Sequence, residues 1–199
     1  VTQRHVTNSV VDVDQIGIGG ATSIVGQYDG NNNKAKVYQK SGFSLLSEVT
    51  QIGSANSANV EQVTNIRTTS KVYQDGKGNK AVVDQFNSYD HAAGSGGADD
   101  GPVSDIDQRG SYHKATVNQS QVENSFSEID QRGANNSSTV NQFDMAGDPD
   151  PSAYTFESTI LQDGKWNVSK VSQTGDFSNI SDVVQKGNGN TAIVNQTGM

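Results

Sequence analysis

Glutamine is placed in this chain with a regularity that few folds can use. There are seventeen, and sixteen of them, at 3, 15, 27, 39, 51, 62, 74, 85, 108, 119, 131, 142, 162, 173, 185 and 196, form one series; only Gln121 lies off it. Thirteen of the fifteen steps are 11 or 12 residues, and the two longer steps, 85 to 108 and 142 to 162, each hold an insertion. Fixed spacing of this kind marks a repeat architecture.

Residues 70–85, SKVYQDGKGNKAVVDQ, show the unit. Ser70, Val72 and Gln74 alternate with outward residues, and so do Asn79, Ala81, Val83 and Gln85. Alternation over four to eight residues is the strand pattern, and the Gly-containing link Asp75–Gly78 reads as a tight arch. Lys71, Tyr73, Lys80, Val82 and Asp84 fall on the opposite face. The unit recurs at 23–39, 47–62, 104–119, 127–142, 158–173 and 181–196, as S-x-[VI]-x-Q-x-G-x-x-N-x-[AS]-x-V-x-Q with a period of about 23 residues. Residues 1–22 read as a degenerate first repeat whose first segment is missing. The insertions at 86–103 and 143–157 contain AAGSGGADDGP and DMAGDPDP, which Gly, Pro and Asp mark as loops. The pattern resumes in phase after each, so the chain reads as one domain over 1–199.

Composition alone would point elsewhere. The chain is 32% hydrophobic with a net charge of −8 and a mean hydropathy of −0.64, values that border on disorder. The register argues against disorder, because it implies that something stacks. The absence of cysteine excludes a disulfide framework and disfavours zinc. The acidic balance argues against nucleic acid, and no stretch is apolar enough to insert in a membrane. No secretory leader is recognisable, and the start at Val1 is compatible with its earlier removal.

The expected fold is all-β: a β-solenoid of seven or eight strand–arch–strand rungs in two facing parallel sheets. Neighbouring strands would lie roughly 4.8 Å apart. Ser and Ala let the sheets approach, and Val and Ile fill the middle. The Gln and Asn share the face of Val, so they are interior, and a buried amide is costly unless its hydrogen bonds are made. Stacking one rung per repeat solves this, each amide donating to the next rung and accepting from the one before, as in cross-β ladders. The expected self-assembly core is therefore Gln27, Asn33, Gln39, Gln51, Asn56, Gln62, Gln74, Asn79, Gln85, Gln108, Gln119, Gln131, Asn136, Gln142, Gln162, Asn167, Gln173, Gln185, Asn190 and Gln196. Natural monomers block an open strand edge. The rung 181–196 matches the pattern closely and only three residues follow it, as suits an addition polymer.

Other residues carry less. His113 stands in an Asn place, and His5 and His91 are not at metal-ligand spacing, so it reads as a tolerated ladder substitution. Asp105 with Glu128, and Asp107 with Asp130, stack on adjacent rungs as a solvated acidic face that slows premature assembly. Trp166 and Tyr112 lie in arches, while Tyr38 and Tyr73 lie on outward strand positions. No Ser-His-Asp set, phosphate loop or acid pair in a pocket is visible, so neither an enzyme nor a cofactor is expected. A monomeric β-solenoid binding module is the competing reading, but the outward places Gly26, Thr50, Tyr73, Asp107, Asp130, Leu161 and Val184 form no ice-binding Thr array.

Segments such as QIGSANSANVEQ (51–62) and QKGNGNTAIVNQ (185–196) resemble the curlin repeats of curli subunits. The resemblance covers nearly the whole chain. It implies a secreted bacterial subunit of a functional amyloid, forming extracellular biofilm fibres that support adhesion and cell aggregation. It also implies export through an outer-membrane channel with periplasmic chaperones, and a homologous partner, either the minor nucleator or the major subunit. Family members are often described with five repeats; this chain has more, and two long insertions.

Overall fold

A computed structural model describes residues 1–17, 19–64, 67–86, 102–121, 125–143, 156–175 and 179–198. Sixteen strands, numbered in chain order, follow one another with no helix among these residues. The odd strands are β1 (Thr2–Thr7), β3 (Thr22–Asn31), β5 (Leu46–Ser54), β7 (Thr69–Lys77), β9 (Val103–Ser111), β11 (Phe126–Ala134), β13 (Phe156–Lys165) and β15 (Asn179–Asn188). The even strands are β2 (Val10–Ile16), β4 (Lys34–Lys40), β6 (Ser57–Val63), β8 (Lys80–Phe86), β10 (Lys114–Ser120), β12 (Ser137–Phe143), β14 (Val168–Thr174) and β16 (Thr191–Thr197). Odd strands pair only with odd and even only with even, giving two eight-stranded parallel sheets. Each odd strand and the even strand after it form one rung of a β-solenoid. The rungs are counted one to eight in chain order.

Register follows the repeat without a slip. Gln51 pairs with Gln74 and Gln74 with Gln108 in one sheet, and Val83 pairs with Val117 in the other. The pairing of β7 with β9 and of β11 with β13 carries the stack across both insertions. The insertion loops themselves, 87–101 and 144–155, lie outside the described residues.

The core is one residue deep from each sheet. Val49, Ile106, Ile129 and Ile160 from the odd strands, with Val60, Val83, Val117 and Val140 from the even strands, are fully buried, and Ala35, Ala58, Ala81 and Ala115 sit beside them. Such a short stem per rung cannot exclude water unless the sheets lie close, which is why small residues alternate with Val and Ile. Ser47, Ser70, Ser104, Ser127 and Ser158 are also buried, but their hydroxyls have no hydrogen-bond partner. Their size explains their place. The structure gives no reason for a hydroxyl over a methyl group.

One expectation is corrected. The first repeat does not lack its first segment: β1 pairs with β3, with Gln3 opposite Gln27. The pattern missed it because only Val1 and Thr2 precede Gln3, no Gly lies in its arch and Ser9 stands in the Asn place. The first two arches also carry one extra residue between the Gln and the Asn place. His5 and Asp29 absorb that residue in the left-handed conformation, at φ 52 and 51. Eight complete rungs result.

Candidate functional site

Two columns of glutamine run the length of the stack. In the odd column Nε2 of each Gln donates to Oε1 of the next: Gln3 to Gln27 at 2.7 Å, then Gln51, Gln74, Gln108, Gln131 and Gln162 in turn, ending at Gln185 at 2.7 Å. The even column runs from Gln15 through Gln39, Gln62, Gln85, Gln119, Gln142 and Gln173 to Gln196, with bonds of 2.6 to 2.9 Å. The second N–H of every ladder amide but Gln15 and Gln39 finds a backbone carbonyl, most of them across the thin core. Gln74 donates to Ser57 O at 3.1 Å, Gln108 to Lys80 O at 3.1 Å, and Gln131 to Lys114 O at 3.1 Å. A carbonyl only accepts, so this second bond sets which end of each amide is nitrogen. The column therefore has a direction, with N–H groups facing the higher-numbered rung and oxygens facing the lower. Interior glutamines are completely buried yet keep their ladder bonds, and all but Gln39 keep a carbonyl bond as well, which offsets the penalty that a buried amide otherwise carries.

The asparagines also stack, but by a different bond from the one expected. Oδ1 of Asn33 accepts from the backbone N–H of Asn56, Oδ1 of Asn56 from that of Asn79, and Oδ1 of Asn136 from that of Asn167. Their Nδ2 groups turn to glycine carbonyls: Asn56 to Gly76 O at 3.1 Å and Asn79 to Gly110 O at 3.1 Å. A side chain one methylene shorter than Gln cannot reach its like across a rung while holding the arch, so it ties the backbone. At the end of the column Asn190 Nδ2 does reach Asn167 Oδ1, at 3.0 Å.

His113 fits this scheme atom for atom. Its Nδ1 accepts the N–H of Asn136 at 3.3 Å, where an Asn oxygen would sit, and Nε2 faces Arg109 O at 3.2 Å. The ring is thus neutral with its proton on Nε2. Burial pushes its pKa below the ordinary 6.5, against the bonds to the Arg109 and Gly133 carbonyls.

The arch glycines form a third column. A Cβ on Gly53, Gly76, Gly110, Gly133 or Gly164 would lie 2.2, 1.9, 2.0, 2.1 or 1.9 Å from the carbonyl oxygen of the next rung's glycine. The column has the same direction as the amides, and Gly187, in the eighth rung, meets nothing closer than Asn190 Nδ2 at 3.9 Å.

The outer face carries the charge. Asp105 lies opposite Glu128, and Asp107 opposite Asp130. Arg109 clasps Asp107 at 3.1 and 2.8 Å, and Arg132 clasps Asp130 at 3.2 and 2.8 Å. Half of the expected acidic face is therefore neutralised. The D-x-R spacing that places both side chains on one strand face was the signal for it. Asp105 and Glu128 keep pKa values above the ordinary range, first through partial burial and then through acidic neighbours, with Lys71 opposing the shift at Asp105. Arg109 also lies 5.4 Å from the centre of the Tyr73 ring. Among the described residues no cluster of His, Asp or Glu is placed to hold a metal.

No protein-family model, curated protein or solved structure matches this chain. The reading therefore rests on its own geometry: a repeat β-solenoid with directional glutamine ladders, an arrangement shared with amyloid-like structural proteins.

Both ladders stop at the ends of the described rungs. Gln3 and Gln15 donate upward, but their oxygens accept nothing among the described residues. Gln185 donates to Val168 O and Gln196 to Ile180 O, each with one N–H unmatched among the described residues. β1 and β2 are the outer strands at one end, and β15 and β16 at the other. The first end presents acceptors in the ladder and the second presents donors.

Proposed function

We propose that this chain is a structural subunit of a homopolymeric fibre of the curli type. The supporting observation is the direction of the amide columns. An acceptor end and a donor end of one molecule complement each other head to tail. Two like ends would set oxygen against oxygen or N–H against N–H. A head-to-tail contact does not close on itself, so it generates an open filament. Addition is templated: β15 and β16 offer unpaired strand edges, and an incoming rung continues both sheets and both glutamine columns. The self-assembly core is then the set of ladder amides from Gln27 to Gln196. No catalytic group or cofactor enters this mechanism.

The likeness to curlin repeats extends the reading. It makes the fibre extracellular and bacterial, part of a biofilm matrix supporting adhesion, exported through an outer-membrane channel with periplasmic chaperones, and seeded by a homologous partner subunit.

The test uses the glycine column. Purified chain left standing at micromolar concentration is followed by thioflavin fluorescence, electron microscopy and fibre diffraction. The expected result is unbranched fibres with a meridional spacing of roughly 4.8 Å. Gly187→Ala leaves the chain's own packing free of contact, but places a methyl where a ninth rung would bring its arch carbonyl, so elongation stops. Gly189→Ala is the control. Its φ of +70 is also positive, its Cβ would meet nothing within 4 Å, and Ala55 already occupies the matching place at φ 58. The urea midpoint of each monomer separates the greater backbone strain at Gly187, φ +95, from the block to elongation. A chain that stays monomeric for days, or a Gly187→Ala chain that elongates like the control, refutes the proposal.

A further inference from the structure

We propose that the arch edge of rungs five to seven binds an extended, uncharged β-linked glycan, with Tyr112 and Trp166 as stacking platforms and Asn135 between them. This site stands apart from fibre formation and belongs to the single chain.

The starting observation is a conformational cost at two exposed positions. The residue before each Asn place is left-handed in every rung. Asn8, Asn32, Ala55, Gly78, Tyr112, Asn135, Trp166 and Gly189 hold it, at φ between 51 and 70. Gly and Asn accept this conformation readily, and a bulky side chain there is an outlier. Six rungs use Gly, Asn or Ala. Rungs five and seven use the two largest aromatic side chains, and both stay mostly in solvent, with Tyr112 54% and Trp166 63% exposed. A strained backbone that presents an exposed ring is the kind of feature that function, not folding, retains.

The placement is as informative as the residue type. Both rings sit at one register position on one straight edge, two rungs apart, which is roughly 10 Å at the strand spacing of a parallel sheet. The backbone bonds Asn135 N–H to Ser111 O and Trp166 N–H to Ala134 O hold the three arches in line. The Tyr112 ring is steadied on one side, because it covers Gly78 so closely that a Cβ there would lie 2.7 Å from it. An aromatic ring has a flat, electron-rich face, and the C–H face of a β-linked pyranose is flat and weakly electropositive. In an extended β-linked glycan every second sugar turns the same face to one side, so the two platforms meet alternate sugars. Asn135 lies under the sugar between, and its side-chain amide is available to hydroxyl groups. The net charge of −8 disfavours polyanions, and the nearby Arg109 and Arg132 are already engaged by Asp107 and Asp130.

The chain has a single tryptophan, so its emission reports this edge alone. Freshly purified chain is titrated with cellohexaose, and with an α-1,6-linked glucose hexamer as control. The expected result is a saturable blue shift with cellohexaose only, unchanged by added salt. Tyr112→Asn, which installs the residue that three other rungs carry, should weaken binding at least tenfold without moving the urea midpoint. Tyr112→Phe should bind as the parent chain does. The proposal is overturned by no response to cellohexaose, by an equal response to the control hexamer, or by Tyr112→Asn binding like the parent.

Discussion

Replacing Gln108 by Leu tests whether the interior amides hold the rungs together. Gln108 accepts from Gln74 and donates to Gln131, both at 2.9 Å, and all three side chains are fully buried. Leucine is similar in volume, so packing changes little. It strands one N–H of Gln74 and the oxygen of Gln131, each costing about 1–3 kcal/mol. Burial of the apolar side chain offsets about 2 kcal/mol, leaving a net loss of about 2 kcal/mol, a sizeable share of a typical 5–15 kcal/mol stability. The same change at Gln196 should cost only about 1 kcal/mol, because its bond to Ile180 O is exposed and replaceable by water, and Gln173, which loses it as an acceptor, still donates to Glu157 O and Asn179 O. Urea unfolding of fresh monomer, followed by circular dichroism at constant m-value, measures both. Adding Gln131→Leu to Gln108→Leu should cost about 2 kcal/mol less than the sum of the singles, since each single breaks the bond that the two residues share. A loss below about 1 kcal/mol at Gln108, together with additivity within about 0.5 kcal/mol, would refute the ladder as an energetic unit.

Three further outcomes follow from the other columns. Ser104→Ala removes a buried hydroxyl without a partner, and should leave the urea midpoint unchanged or raise stability by about 1 kcal/mol. Gly133→Ala puts a methyl 2.1 Å from Gly164 O at a φ of +100, and should cost about 3 kcal/mol or more, read as a collapsed midpoint or failure to fold. His113 has its folded pKa lowered below 6.5, so its contribution is present above pH 6.5 and is lost as pH falls through the folded value. His113→Asn should therefore flatten the midpoint in that window. Asp84, Asp105 and Glu128 act oppositely: their pKa values are raised, so they favour the fold most fully below their ordinary values of 3.8, 3.8 and 4.5 and less as pH rises. The His-linked loss should thus come first on acidification.

The architecture was legible in the sequence because a solenoid repeats its contacts wherever it repeats its residues. The period of the glutamines set the rung, alternation set the inward face, and the shared face with Val placed the amides inside. The first strand was not legible, since the Ser, Gly and Asn that mark the other repeats are absent from their places around Gln3, while the backbone pairing with β3 places it in register all the same. The asparagine bonding escaped too. A motif shows that identical residues stack, but side-chain reach decides whether Asn meets Asn or the next rung's backbone. The Arg clasps on Asp107 and Asp130 were visible as spacing and went unread.

The sequence by itself determined the period, the interior face and the two-sheet stack, because each depends only on which residues recur and how far apart. Tertiary structure alone decided the direction of the ladders. Direction arises from the second hydrogen bond that most of the amides make to a backbone carbonyl, as Gln74 does to Ser57 O, and no local pattern encodes which carbonyl will lie there. The same holds for the paired aromatic rings of rungs five and seven, which are 54 residues apart in the chain and become neighbours only when the rungs stack.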